Sequence, residues 1–160
     1  MKKLILAVSA LLAMTIAAEA QQISVTSPSQ ALKLEFRGAK AVASDVELTF
    51  LVTNLSENEA VINLVGGQYQ NGASGSVVYD NEGNIYEHTD VIVAVGKKAL
   101  TEQYSAGSFP SNVPVKCHLV VKNIDSYATT LAKVKLCVLS PQLGITNTGI
   151  CFELNNVKFK

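Results

Sequence analysis

The stretch "DVELTFLVTN" (45–54) puts Val46, Leu48, Phe50 and Val52 on one parity and Asp45, Glu47, Thr49 and Thr53 on the other. Successive side chains of a strand point to opposite faces, so a period of two rich in β-branched and aromatic residues means a half-buried strand. The pattern recurs along the chain. "LKLEF" (32–36) sets Leu32, Leu34 and Phe36 inward, and "EAVINLV" (59–65), "GSVVYD" (75–80), "NIYEH" (84–88), "VPVKCHLVV" (113–121), "AKVKLCVL" (132–139) and "ICFEL" (150–154) are of the same kind. "VIVAV" (91–95) is apolar at every position and is expected in a sheet interior. Two stretches, "KKALTEQY" (97–104) and "SYATTL" (126–131), read as short helical turns. A series of about seven to nine strands punctuated by Gly, Asn and Pro predicts an all-β protein, an immunoglobulin-like antiparallel β-sandwich. The chain has no tryptophan, so the core tryptophan of antibody domains is missing.

Lys2 and Lys3 precede an apolar run from Leu4 to Ala18, and Ala18-Glu19-Ala20 offers small residues around a cleavage point. A charged start, an apolar middle and a small-residue end make a secretory signal peptide. The run falls short of the roughly 20 apolar residues a membrane span needs. Residues 1–20 are therefore expected to be removed, leaving one domain over 21–160 that is periplasmic or secreted, with no membrane span after cleavage. The first cysteine is Cys117, so no cysteine near the cleavage point is available for a lipid anchor. Thirteen basic residues balance thirteen acidic ones in the full chain, and losing Lys2, Lys3 and Glu19 leaves 11 against 12. Such neutrality gives no electrostatic footprint for nucleic acid or for an anionic membrane. Charged residues at 16% and apolar ones at 48% exclude disorder.

Nothing in the chain reads as a reaction centre. "YDNEGNIYEH" (79–88) gathers Asp80, Glu82, Glu87 and His88, but Asp80 and Gly83 fall at the first and fourth positions of a type I turn, with Gly83 free to form a G1 bulge. A calcium loop would carry its glycine at the sixth position. His88 has no second histidine nearby, since His118 lies thirty residues on. "GASGS" (72–76) lacks the spacing of a nucleophile elbow, and "GKK" (96–98) lacks the cradle of a phosphate loop. Cys117 and His118 are adjacent on a strand and so face opposite ways. No catalytic residue, metal ligand or cofactor is expected.

Three long loops remain as material for binding: 66–75 with Tyr69, 96–112 with Tyr104 and Phe109, and the polar stretch 140–149. Two functions follow. The first is a non-enzymatic exported sandwich that binds a protein or envelope component through its end loops. The alternative is a small carbohydrate-binding module or hydrolase with a loop-built site. "NLS" (54–56) matches an N-glycosylation acceptor formally.

Three cysteines in an oxidising compartment leave at least one without an intramolecular partner. Val113, Val115, Cys117, Leu119 and Val121 share parity, which puts Cys117 on the apolar face. Val134, Leu136 and Val138 point inward and leave Cys137 outward with Lys133 and Lys135, while Ile150, Phe152 and Leu154 leave Cys151 outward with Glu153. A connection centred on Gly144 would bring Cys137 and Cys151 directly opposite each other, at about 4.5–5.5 Å between Cα atoms. A Cys137–Cys151 disulfide with Cys117 as a buried free thiol is the expected pattern.

Taken together, the signal "MKKLILAVSALLAM…AEAQQ", the phrase "YDNEGNIY" and the tract "FPSNVPVKCHLVVKNIDSYATTLAKVKLCV" resemble exported immunoglobulin-like β-sandwich proteins of unknown function from Gram-negative bacteria. The resemblance covers roughly residues 32–154, in the order and phrasing of its turns and strands. It implies a fold and a compartment, and no functional residues.

Overall fold

The computed structural model describes residues 23–27, 29–68 and 75–160, with only the backbone at 147–149. The expected signal peptide and Tyr69 lie outside the described residues. Eleven strands are present among them: β1 (Val25–Thr26), β2 (Leu32–Val42), β3 (Asp45–Asn54), β4 (Ala60–Val65), β5 (Val77–Asp80), β6 (Ile85–Tyr86), β7 (Val91–Val95), β8 (Tyr104–Phe109), β9 (Pro114–Val121), β10 (Thr130–Ser140) and β11 (Ile145–Lys158).

The strands form two antiparallel sheets. One runs β1-β11-β10-β4-β8, with β5 also paired to β10 and β6 to β5; the other runs β2-β3-β9-β7. The chain is thus an immunoglobulin-like β-sandwich, built from more strands than the seven to nine expected. The additions are β1 and β8. Both fell outside the alternating stretches: β1 is two residues long, and β8 is "YSAGSF", whose small residues give no apolar period.

Most of the predicted inward residues form the core; Phe36, Val115 and Ile150 are only partly buried against it, and Val113, before β9 begins, is exposed. Val46, Leu48, Phe50 and Val52 from β3 meet Val134, Leu136 and Val138 from β10 and Phe152 and Leu154 from β11 in one cluster, all fully buried. Each such side chain contributes about 1.5–3 kcal/mol by leaving water. Two other expectations change. The stretch 97–104 contains no helical turn; it folds back so that Thr101 and Val93 exchange backbone hydrogen bonds of 2.9 and 3.0 Å. Similarly, 126–131 is a turn running into β10, and the one short 3-10 helix among the described residues is Pro141–Leu143, closed by Gly144 at φ 72°. Nor is "VIVAV" an interior strand. β7 is at the edge of its sheet, and Ala94 on its outer face is buried because the 96–101 segment covers that edge.

β10 shares one side between two partners. Cys137, Val138 and Leu139 pair with β4, and Leu131 to Lys135 with β5. At the handover the chain leaves the sheet at Gly66 and returns at Ser76. Gly66 N–H donates to Gln103 O at 2.7 Å, continuing the β4–β8 pairing, and Gly67 N–H donates to Val91 O at 2.9 Å, tying this loop to the edge of the opposite sheet. A Cβ at Gly66 or Gly67 would strike the backbone of Glu102 or His88, so only glycine permits the approach.

The 79–88 stretch is the hairpin its turn chemistry predicted, with Val78 opposite Tyr86, Tyr79 opposite Ile85 and Gly83 at φ 92°. A methyl group at Gly83 would touch nothing within 4 Å, so alanine there meets only the backbone cost. Gly83→Ala is expected to lose about 1 kcal/mol. Urea denaturation checks this; wild-type stability in the variant would mean that the turn does not need the left-handed conformation.

Candidate functional site

The outer face of the four-stranded sheet carries a cleft of about 220 Å³. β3 supplies Glu47, β9 supplies His118 and Val120, β7 supplies Ala94, and the following segment supplies Gly96, Lys98 and Leu100. Strand registry brings them together: Thr49 and Ala94 lie on either side of His118, while Glu47 and Ile92 flank Val120. Each is an outward residue of its strand, and the folded-back 96–101 segment turns a flat sheet face into a concave one.

Charge in the cleft is partly matched. Glu47 accepts from Lys40 Nζ at 3.0 Å and lies 3.0 Å from His118 Nδ1. The Lys40 ammonium foremost, then His118, holds the Glu47 carboxyl below its usual range against a contrary push from burial. Lys98 Nζ donates to the Ala106 carbonyl, which carries no charge. Ala94 and Val120 make an apolar floor, and Leu100, exposed, an apolar rim.

Of the loop residues singled out from the sequence, Tyr104 and Phe109 do not converge. Tyr69 is outside the described residues. Tyr104 opens β8 and is 52% exposed. Phe109 closes β8 and is fully buried in the core, so it is no part of a binding loop; its parity with Ser105 and Gly107 points it inward. Of the three loops, 66–75 and 96–112 are joined by hydrogen bonds from Gly66 to Gln103 and from Gln68 to Glu102. The 140–149 loop instead meets the beginning of β4, where the Gln142 side chain accepts from Val61 N–H.

Other motifs have structural occupations. Asn54 of "NLS" is fully buried, and its amide nitrogen donates to the Asn58 and Phe109 carbonyls, so it is not an accessible sugar acceptor. His88 is a surface residue, 3.4 Å from Glu87.

Asp80 is 3% exposed and accepts four hydrogen bonds, from the backbone of Glu82 and Asn84, the Asn84 amide and the Tyr86 hydroxyl. Tyr86 in turn accepts from Asp125 N–H at 3.0 Å, so the hairpin pins the connection between β9 and β10. Burial foremost pushes the Tyr86 phenol up to about 12. With its carboxylate oxygens committed in this way, Asp80 is not presented to a cation. Calcium and zinc are expected to leave the melting temperature unchanged; a metal-dependent rise abolished by Asp80→Asn would count against this. Among the described residues, no three His, Cys, Asp or Glu side chains are grouped to hold a metal.

Cys137 and Cys151 form the disulfide expected from their parity, in register on β10 and β11. Their Cα atoms are 3.9 Å apart, closer than the spacing anticipated. The outer face is not bare there: Cys137 is 1% exposed, packs with Val65 and Leu139, and lies against Gly75 and Ser76. Lys133 and Lys135 share that face and both pair with Glu153, at 3.0 and 3.7 Å.

Cys117 is free and buried. Burial pushes its thiol up to about 12, so almost no thiolate is present near neutrality. Iodoacetamide is expected to leave Cys117 unmodified in the native protein and to label it on unfolding. Rapid native labelling, read by intact mass, would contradict the buried placement.

Among the described residues no helix is long and apolar enough to cross a membrane. No protein-family model matches the chain, and no curated protein matches it. A solved structure described as "X-ray structure of Northeast Structural Genomics Consortium target SoR45" is similar at 15% identity, covering 84% of this chain and 86% of that one, with a TM-score of 0.30. A likeness of that degree carries no argument about this chain.

Proposed function

We propose that the protein is an exported, non-enzymatic β-sandwich, of the kind found in Gram-negative bacteria, that binds a protein or envelope component outside the cytoplasm. The carrying observation is the size and lining of the cleft on the four-stranded sheet. Sites for whole small molecules run to about 300–1,000 Å³. At about 220 Å³, this cleft suits one protruding group of a larger partner. Its lining includes no Phe, Tyr or Trp ring for a sugar to stack on and no Ser, Thr or Cys, the Thr49 hydroxyl opposite His118 lying outside it. That favours binding over the carbohydrate-module or hydrolase alternative. The leader-like segment 1–20 and the Cys137–Cys151 disulfide support an oxidising compartment, periplasmic or secreted.

A photo-crosslinking residue at Leu100, which is exposed beside the cleft, tests the reading in living cells, with Tyr127 as a control position. A discrete product from position 100 and none from 127 is expected. Equal products from both, or none, would overturn it.

A further inference from the structure

Charge around the cleft is one-sided. Lys33, Lys40, Lys133 and Lys135 each have a carboxylate partner. Lys97, Lys98 and Lys116 have none among the described residues, and all three are exposed. Lys98 lines the cleft, Lys97 follows Gly96 of its rim, and Lys116 precedes His118 by two on the same face of β9. The one acid in the lining, Glu47, is already shared between Lys40 and His118. A chain with no net formal charge therefore concentrates three unmatched cations around one concavity.

We propose that this cleft docks an acidic segment of a partner polypeptide, seating a carboxylate side chain beside Lys98 and His118 with its methylene stem on Ala94, Leu100 and Val120. The inference rests on the binding reading above and gives the partner its chemistry. Two features favour a peptide carboxylate over a phosphate monoester, whether of a sugar or of phosphatidic acid. The apolar floor matches the stem of a glutamate or aspartate. Glu47 lines the same cleft, and a phosphate monoester carrying close to two negative charges meets more repulsion from it than a singly charged carboxylate.

Fluorescence anisotropy with a labelled peptide of alternating leucine and glutamate is the test, set against its leucine–glutamine counterpart and phosphatidic acid vesicles, whose headgroup is a phosphate monoester. The glutamate peptide is expected to bind at least about tenfold more tightly than the glutamine one, and to weaken as salt shortens the Debye length. Replacing Lys97, Lys98 and Lys116 together by glutamine should cost about tenfold, and replacing them by arginine should preserve binding. Equal binding of the two peptides, binding of neither, indifference to the glutamine variant, or preference for the vesicles would each overturn the proposal. If a crosslinked product still forms at position 100, only the acidic segment is refuted; if crosslinking fails as well, the binding reading falls with it.

Discussion

Replacing Cys137 and Cys151 together by alanine is expected to lower the melting temperature by about 6–12 °C, from a loss of about 3 kcal/mol. The bridge joins residues 14 apart in sequence, and cross-linking a loop of that size removes about 3 kcal/mol of chain entropy from the unfolded state. Cys137 is also part of a small apolar cluster with Val65 and Leu139, so truncation there leaves unfilled space in addition. A reductant added to the wild-type protein should reproduce most of the shift without that packing loss. Thermal melts of the two proteins, with and without dithiothreitol, measure both contributions. An unchanged melting temperature in the variant would mean that the bridge contributes nothing to stability.

The second large effect is expected at Asp80. Asp80→Ala strands the backbone donors of Glu82 and Asn84 and removes the acceptor of the Tyr86 hydroxyl. A buried group left unpaired costs about 1–3 kcal/mol; the Tyr86 bond is buried and the Glu82 and Asn84 bonds are part-buried, so a loss of about 2–3 kcal/mol follows. Tyr86→Phe should cost less, since it frees only one Asp80 oxygen site and Asp125 N–H. The pH dependence has a definite sign. Burial raises the Asp80 carboxyl, but the hydrogen bonds from Asn84, Tyr86 and Glu82 outweigh it and hold the group below its ordinary value of 3.8. A carboxyl lowered by folding adds stability that is complete above the unfolded value and disappears as pH falls through the folded one. The wild type should therefore lose more stability than Asp80→Asn as pH falls from about 5 into the range below the ordinary carboxylate pKa. Urea titrations at stepped pH decide it; parallel profiles for the two proteins would remove Asp80 from the account.

Most of the sandwich was legible because burial on one face imposes parity, and parity survives in the sequence. Val46 to Val52 and Val134 to Val138 announced their faces, and the same counting paired Cys137 with Cys151. β8 was not legible. Its inward positions are Ser105, Gly107 and Phe109, and a Cβ at Gly107 would collide with the Val95 side chain. Close approach of two strands has taken the place of an apolar side chain, so the period is missing. Phe109 was consequently read as a loop residue when it is core. The cleft was hidden for another reason. Glu47, Lys98 and His118 look like ordinary outward residues one at a time, and only cross-strand registry joins them. Cys137 was correctly placed outward, yet no local pattern shows that Gly75 and Ser76 lie against it.

The division of one side of β10 between β4 and β5 has a consequence for the order in which the molecule can form. β1, β4 and β5 come from the first half of the chain, yet β1 pairs with β11 and the other two with β10. Until residues 130–158 are available, none of these three strands has the partner that closes the larger sheet. Contacts so far apart in sequence form slowly, because loop closure precedes any gain from pairing. The β10–β11 hairpin is the opposite case, local and carrying its own cross-link. A chain emerging from its N-terminal end can therefore assemble the four-stranded sheet from residues 32–121 but cannot complete the sandwich before β10 and β11 arrive. The last hairpin is the element on which closure of the larger sheet waits.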